Sequence, residues 1–354
     1  MSLPNKDIDI PKRLDLLGLP REELEKMFFG IGERPFRAKQ ILKWIYRHRF
    51  RDFEPMTDMP IPLRVRLAED CSIGRLKVAD KAASPDGATK LAFALDDGAI
   101  VEAVHIPAEG RHTACLSTQV GCALGCKFCA TGAMGFVRNL TSREIVGQLL
   151  GVEEELGIEL TNVVLMGMGE PLMNFEAVSW ALDLFSDDNA LALGHRRTTL
   201  STVGIPAKID ELLESGLKPK LAISLNAPND KLRAQIMPEA VKIASIAEIL
   251  DSASRYATAT ARWFTVEYVL LGGVNDSITH ADALAELLIE RPCKVNLIKY
   301  NPVEGKEFHA PKDADVENFL GYLCSAGLTA TLRQSKGAGI SAACGQLASS
   351  IRRD

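Results

Sequence analysis

The chain has 354 residues, 47% hydrophobic and 25% charged, which excludes a disordered chain and leaves room for two or three domains. Lys and Arg total 41 against 46 Asp and Glu, a formal net charge of −5. No apolar run reaches the roughly 18 residues of a membrane span, and the N-terminus lacks the compact apolar stretch of a signal peptide. The expected location is the cytoplasm, where eight cysteines are ligands, nucleophiles or core thiols rather than a disulfide framework.

Helical spacing with Pro and Gly punctuation predicts helices over 21–29, 35–49 and 61–68. The second is strongly basic. Between residues 33 and 51, seven cations (Arg34, Arg37, Lys39, Lys43, Arg47, Arg49, Arg51) face the single carboxylate of Glu33, interleaved with Phe36, Trp44, Tyr46 and Phe50. Such a segment suits a polyanion, although an amphipathic helix packed on a small domain would look similar. The turn-forming run 82–87 marks a boundary, and short strands are expected over 89–95 and 99–106.

From about residue 113 the pattern alternates. Strands are expected over 113–117, 162–166, 197–202, 220–225, 263–270, 294–298 and 329–333. Helices are expected over 143–156, 175–185, 207–213, 243–256, 281–289 and 316–326. This predicts an α/β fold, a partial (β/α) barrel of parallel strands with its chemistry at their C-terminal ends. The expected division is a helical accessory domain at 1–85, linking strands at 86–112, the barrel at 113–346 and a tail at 347–354.

One loop carries the sharpest signal. Cys122, Cys126 and Cys129 stand at spacing C-x3-C-x2-C just after a predicted strand, with Gly121, Gly125 and Gly132 around them. Three thiolates on a tight loop suit three irons of a cubane cluster and leave one iron open to a small molecule. The alternative is a structural zinc completed by Cys115 or a distant ligand. Further on, MGMGEP (166–171) ends an apolar strand and offers Glu170 beside Gly169. Ser201, then Ser224-Leu225-Asn226, then Asn301 follow at later strand ends.

The three-cysteine loop resembles that of the radical S-adenosylmethionine (SAM) superfamily. The strings CALGCKFCATGAMGFVRNLTSREIVGQ, VVLMGMGEPLMN, LSTVG, SLNAPND and AACGQL, in that order, are similar to the RlmN-type adenine-C2 methyltransferases of 23S rRNA and tRNA, within the RlmN/Cfr family. The resemblance runs from about residue 21 to 346. It implies a 4Fe-4S cluster on Cys122, Cys126 and Cys129, and SAM held by Gly169, Glu170, Ser201, Ser224, Leu225, Asn226 and Asn301. It also implies two SAM per turnover, a flavodoxin-like electron donor and RNA contacts by the basic N-terminal segment; a monomer is expected because the sequence shows no spare apolar helix face.

Carbon 2 of adenine is electron-poor and has no lone pair, so it cannot attack a methyl group directly, and the resemblance implies a radical route. Cys344 takes a methyl from one SAM. A second SAM yields a radical that removes hydrogen from the S-methyl group, which then adds to the base. Glu102 accepts the displaced proton, with water through His105 as the alternative. Cys115 resolves the protein–RNA adduct through a transient disulfide with Cys344. Arg138, Arg143, Arg196 and Arg197 are further RNA candidates beside the barrel mouth. The chain departs from the family pattern at Asn226, where histidine is common, and in the run GAGIS (337–341), where acidic residues are common. Two other readings share these motifs: an adenine-C8 methyltransferase of the antibiotic-resistance type, and a noncatalytic iron–sulfur RNA-binding protein.

Overall fold

The computed structural model describes residues 13–348. A helical bundle comes first: β1 (Leu14–Asp15), α1 (Arg21–Gly30), α2 (Arg37–Leu42), α3 (Ile61–Asp70) and β2 (Cys71–Ser72), with β1 and β2 paired in parallel. After α2 the helix continues with π geometry over Lys43–Arg47. Leu24, Phe28, Ala38, Ile41, Leu42, Ile45 and Tyr46, recurring every three or four residues, are all buried in one core. The bundle is bonded to the rest of the chain. The Ser142 hydroxyl donates to the Gly18 carbonyl at 2.8 Å, and Arg21 pairs with the buried Asp187 at 2.7 Å, while inside the bundle the Tyr46 hydroxyl accepts the Gly18 N–H at 2.8 Å.

Three antiparallel strands follow, β3 (Lys77–Ala83), β4 (Thr89–Ala94) and β5 (Ile100–Ala108), and lead into β6 (Arg111–Cys115). A short hairpin, β7 (Gln119–Gly121) and β8 (Phe136–Asn139), brackets the three-cysteine loop and the one-turn helix α4 (Ala130–Ala133). Strands and helices then alternate: α5 (Ser142–Leu156), β9 (Asn162–Leu165), α6 (Phe175–Ser186), β10 (Thr198–Thr202), α7 (Pro206–Glu214) and β11 (Lys220–Ser224). Next come α8 (Asp230–Ile236), α9 (Ile246–Thr260), β12 (Phe264–Leu270), α10 (Ile278–Leu288), β13 (Cys293–Lys299), α11 (Asp313–Ser325) and β14 (Ala330–Arg333).

One sheet of ten strands runs β14-β13-β12-β11-β10-β9-β6-β5-β4-β3. Its seven strands from β6 to β14 are parallel and in chain order, as right-handed crossovers require. The outer strands β14 and β3 do not pair, so the barrel is partial. Residues buried on both faces of the central strands, such as Leu221, Ala222, Ile223, Val266 and Leu297, explain the near-continuous apolar runs. Helices α5 and α9 start at capping boxes, Thr141 with Glu144 and Ser245 with Glu248.

The structure modifies the sequence reading in three places. Lys77–Ala83, read as part of the helical segment, is the edge strand β3, which its alternation of exposed and half-exposed residues allows. Strands β4 and β5, read as linkers, are continuous with the barrel sheet, because β5 pairs with β6 over five residues. Leu347 and Ala348, assigned to a tail, are bonded into the fold: the Thr131 hydroxyl donates to the Leu347 carbonyl and the Ala348 N–H donates to Glu102 at 3.0 Å. Residues 1–12 and 349–354 lie outside the described residues. Among the described residues no helix is long and apolar enough to cross a membrane.

Candidate active site

The barrel interior encloses a cavity of about 470 Å³. Cys122, Cys126 and Cys129 line it together, as do Cys115 and Cys344. The loop holding the first three is fixed by backbone bonds: Cys122 N–H to the Gly135 carbonyl (2.9 Å), Lys127 N–H to Ile236 (2.9 Å) and Ala130 N–H to Gly345 (2.7 Å). Gly121 sits at φ +75°, and a Cβ there would lie 1.8 Å from the Gly135 oxygen, so no other residue fits this turn.

Burial pushes the Cys122 thiol up to about 11 and that of Cys126 higher still, each raised further by neighbouring thiols of the same loop. A bound metal reverses this, because its charge deprotonates a coordinating thiol. Among the described residues no group of three His, Cys, Asp or Glu converges tightly enough to hold a single metal ion. Three cysteines that line one cavity and act on one another by charge suit a cluster, whose ligands bind separate irons. A second feature fits an anionic group here: the side chain of Arg233, fully buried and acting by charge on Cys126, has an Nη1 with no partner. The residues present fit an iron–sulfur cluster.

Beside this loop, Gly169 takes φ +101°, and a Cβ would lie 2.5 Å from that of Gln119. The buried Glu170 carboxylate accepts Leu172 N–H (3.0 Å) and Val203 N–H (2.9 Å). Burial nevertheless raises it to about 7. Ser201 and Ser224 face each other at 3.1 Å across β10 and β11. Asn226, in the left-handed region at φ +62°, accepts the Val269 N–H at 2.9 Å and donates to the Met237 sulfur at 3.3 Å. Its amide thus ties β11 to β12, a structural use of the side chain at the position where the family pattern has histidine. Gly169, Glu170, Ser201, Ser224 and Asn226 line the cavity; Leu225 and Asn301 do not, and the buried Asn301 Nδ2 has no partner.

Cys115, at the C-terminal end of β6, is a buried thiol pushed up to about 12 by desolvation and by the neighbouring Cys344, with Arg333 acting in the opposite sense. All eight cysteines are free thiols, Cys115 and Cys344 included. Glu102 is 1% exposed and lies outside the cavity lining. Lys90 pairs with one of its oxygens at 3.0 Å and Ala348 N–H bonds the other at 3.0 Å. Desolvation raises its carboxyl above the usual range. His105, read as an alternative route for the proton, is paired ring to ring with His112 at 3.0 Å. The run 334–348 that bears Cys344 is tied to the β3–β5 extension at several points: Gly337 N–H to Asp86 (2.7 Å), Lys336 to the Pro107 carbonyl (2.6 Å) and Lys90 to the Ser341 carbonyl (3.3 Å).

The expected RNA contacts divide into paired and unpaired cations. Arg37 pairs with Glu33, Arg49 with Glu153 at 2.5 Å and Arg51 with Glu154 at 2.5 Å, so much of the basic segment is neutralised internally. Arg138 pairs with Asp97 and Glu144, and Arg143 with Asp15 and Asp96. Arg34, Lys39, Lys43 and Arg47 are exposed and make no ion pair among the described residues. Arg196 and Arg197 precede the N-terminal end of β10, opposite the mouth where they were expected, because the α6–β10 connection enters the barrel from below.

Sequence reasoning missed two arginines. Arg333 ends β14 and lines the cavity, its charge acting on Cys344, Glu267 and Cys115. Arg233 lies on the buried face of α8 between Leu232 and Ile236, and a lone cation at that apolar spacing was the available signal.

A partial (β/α) barrel with three cysteines on the loop after its first parallel strand defines a radical SAM protein, and the radical SAM superfamily model matches residues 116–285. The model of the ribosomal RNA large subunit methyltransferase N-terminal domain matches residues 14–73. The chain is 45% identical over 349 residues to the dual-specificity RNA methyltransferase RlmN of Nitratidesulfovibrio vulgaris, covering 95% of each chain. It is 43% identical to a probable RlmN of Rhodopirellula baltica, over 95% of this chain and 91% of that one. A crystal structure of a radical SAM methyltransferase from Sphaerobacter thermophilus superposes with a TM-score of 0.87 at 41% identity, over 94% of this chain and 99% of the other. The chain belongs to the RlmN family of radical SAM RNA methyltransferases.

Proposed function

We propose that the chain methylates carbon 2 of an adenosine in 23S rRNA, at the peptidyl transferase centre, and of the adenosine 3′ of the anticodon in tRNAs. The observation that carries this reading is one cavity lined by the three-cysteine loop together with Cys115 and Cys344. RNA binding alone needs neither of the last two thiols.

Cys122, Cys126 and Cys129 hold a 4Fe-4S cluster with one iron left open. Gly169, Glu170, Ser201, Ser224 and Asn226 hold SAM, with the Glu170 carboxylate on its ammonium; Leu225 and Asn301 support the pocket from outside its lining. When bound, the cluster and SAM supply one-electron chemistry that activates a methyl group. The protein provides the carrier. Cys344 sulfur displaces the methyl of SAM, forming an S–CH₃ bond as the sulfonium bond breaks and the thiol proton leaves.

Once carbon joins the base, Glu102 takes the proton from carbon 2, and the unpaired electron of the adduct would pass back to the bound cluster, leaving a closed-shell thioether. Both of its oxygens are engaged, so the C-terminal segment has to lift Ala348 off first. Cys115 then attacks Cys344 sulfur. The S–S bond forms, the carbon–sulfur bond breaks, and its electron pair leaves with the base as the methyl group gains a proton. A cellular thiol reduces the disulfide, and a flavodoxin-like protein supplies the electrons for each cycle, which consumes two SAM. Exposed Arg34, Lys39, Lys43 and Arg47 take phosphates, and the target base leaves its stack to enter the barrel. The protein acts as a cytoplasmic monomer.

Anaerobic turnover of the cluster-loaded chain with SAM, reductant and unmodified 23S rRNA or tRNA tests this, read by nucleoside mass spectrometry. 2-Methyladenosine in both RNAs is expected. 8-Methyladenosine, or no methylated adenosine from a loaded chain, would overturn it.

A further inference from the structure

Arg233 is the largest fully buried side chain among the described residues. Its Nε donates to the Leu225 carbonyl at 3.3 Å and one Nη to the Val203 carbonyl at 2.5 Å. The remaining Nη1 is buried and has no hydrogen-bond partner among the described residues; Asp230 and Glu170 act on the guanidinium by charge, but neither forms an ion pair with it. A buried guanidinium N–H left without an acceptor is costly, so an arginine in this state calls for an anionic acceptor to complete it.

The surroundings identify where that anion would be. Helix α8, which carries Arg233, is joined to the three-cysteine loop by the bond from Lys127 N–H to the Ile236 carbonyl. Leu232, Ile236 and Met237 share one apolar cluster with Cys122, Leu124 and Phe128. Val203, whose carbonyl Arg233 holds, gives its N–H to Glu170 at 2.9 Å. Both Glu170 oxygens already accept backbone N–H groups, whereas the thiol of Cys126 becomes a full anion on metal binding.

We propose that Arg233 is a positioning residue for the iron–sulfur cluster, its Nη1–H donating to the Cys126 thiolate once the cluster is bound. This rests on reading Cys122, Cys126 and Cys129 as the ligands. The bond has two consequences. It neutralises part of the negative charge that the loop acquires, so the cluster-loaded chain gains the anionic acceptor that the empty one lacks. It also favours the reduced cluster, which is one charge more negative, and so raises the reduction potential.

Two measurements test it, neither of which uses turnover. The first is EPR-monitored potentiometry of anaerobically reconstituted wild type and Arg233→Met. The bond is stronger to the reduced cluster than to the oxidised one, so its loss should lower the reduced-to-oxidised ratio about tenfold at a fixed poise, about 59 mV for a one-electron couple. A variant with full iron content and unchanged potential overturns the proposal. The second covers a variant that does not fold, and uses the wild type labelled with ¹⁵N-arginine. Pulsed EPR of the reduced cluster should show one weak ¹⁵N coupling, and its absence overturns the proposal as well. A wild type that binds iron and sulfide nowhere would sink the ligand assignment instead, a different and visible outcome.

Discussion

Ala348 donates its backbone N–H to the Glu102 carboxylate at 3.0 Å, so the run that bears Cys344 is closed down on the strand that bears the proposed base. The same carboxylate holds Lys90, and Lys90 reaches back to the Ser341 carbonyl of that run. The antiparallel extension β3–β5 therefore acts as the support of the Cys344 loop.

Removing the charge from Glu102 leaves the half-buried Lys90 without its counter-ion. Glu102→Gln should cost about 3 kcal/mol of stability. Adding Lys90→Met should restore most of that loss, since both charges are then gone. Denaturant melts of the two single variants and the double variant measure the coupling.

Cys115→Ala should let the adduct form without resolution, so a stable protein–RNA crosslink accumulates on denaturing gels. Cys344→Ala should abolish methyl transfer entirely, with no S-methyl mass increment on the chain. Methylated RNA from Cys344→Ala would remove the carrier role.

Alkylation of the cluster-free native chain should discriminate among its cysteines. Cys324 is exposed and should react first, whereas Cys115, buried and pushed up to about 12, should stay unmodified at pH 8. Peptide mass mapping after a timed iodoacetamide pulse reads the order. Early labelling of Cys115 would show that the loop bearing Cys344 opens far more often than its bonds suggest.

Glu170 gives the cluster-free chain a defined pH dependence. Its carboxyl is raised from 4.5 to about 7 by burial, so the folded state favours the protonated form. That stability is complete below about pH 4.5 and lost as pH rises through about 7. Wild type should therefore lose roughly 3 kcal/mol across that window relative to Glu170→Gln, at about 1.4 kcal/mol per pH unit. Parallel chemical melts at pH 4.5 and 7.5 check it; equal differences at both pH values would contradict the assignment.

Two kinds of basic residue should behave differently. Lys39→Ala with Lys43→Ala should weaken RNA binding and reduce the salt slope by about 0.9 per lost phosphate contact, with stability unchanged. Arg49→Ala, which breaks a pair with the buried Glu153, should instead lower the melting temperature. Filter binding across a salt series, beside thermal melts, separates the two.

The sequence by itself determined the alternation of strands and helices, because the strands are apolar on both faces and the helices on one, and these periods are local properties. The three-cysteine loop was legible for the same reason: Cys122, Cys126 and Cys129 lie within eight residues of each other. The SAM candidates after MGMGEP were legible from their places at strand ends. What only the tertiary structure decided concerns residues far apart in the chain. Whether a cation is free depends on its partner, and Arg49 meets Glu153 across 104 residues. Glu102 meets Ala348 across 246, which no local spacing encodes. The burial of Arg233 with an unpartnered Nη1 likewise emerges only when α8 packs against the cysteine loop. Periodicity records which face of an element is buried; it holds no information on what that face meets, and the charge balance of the site is set there.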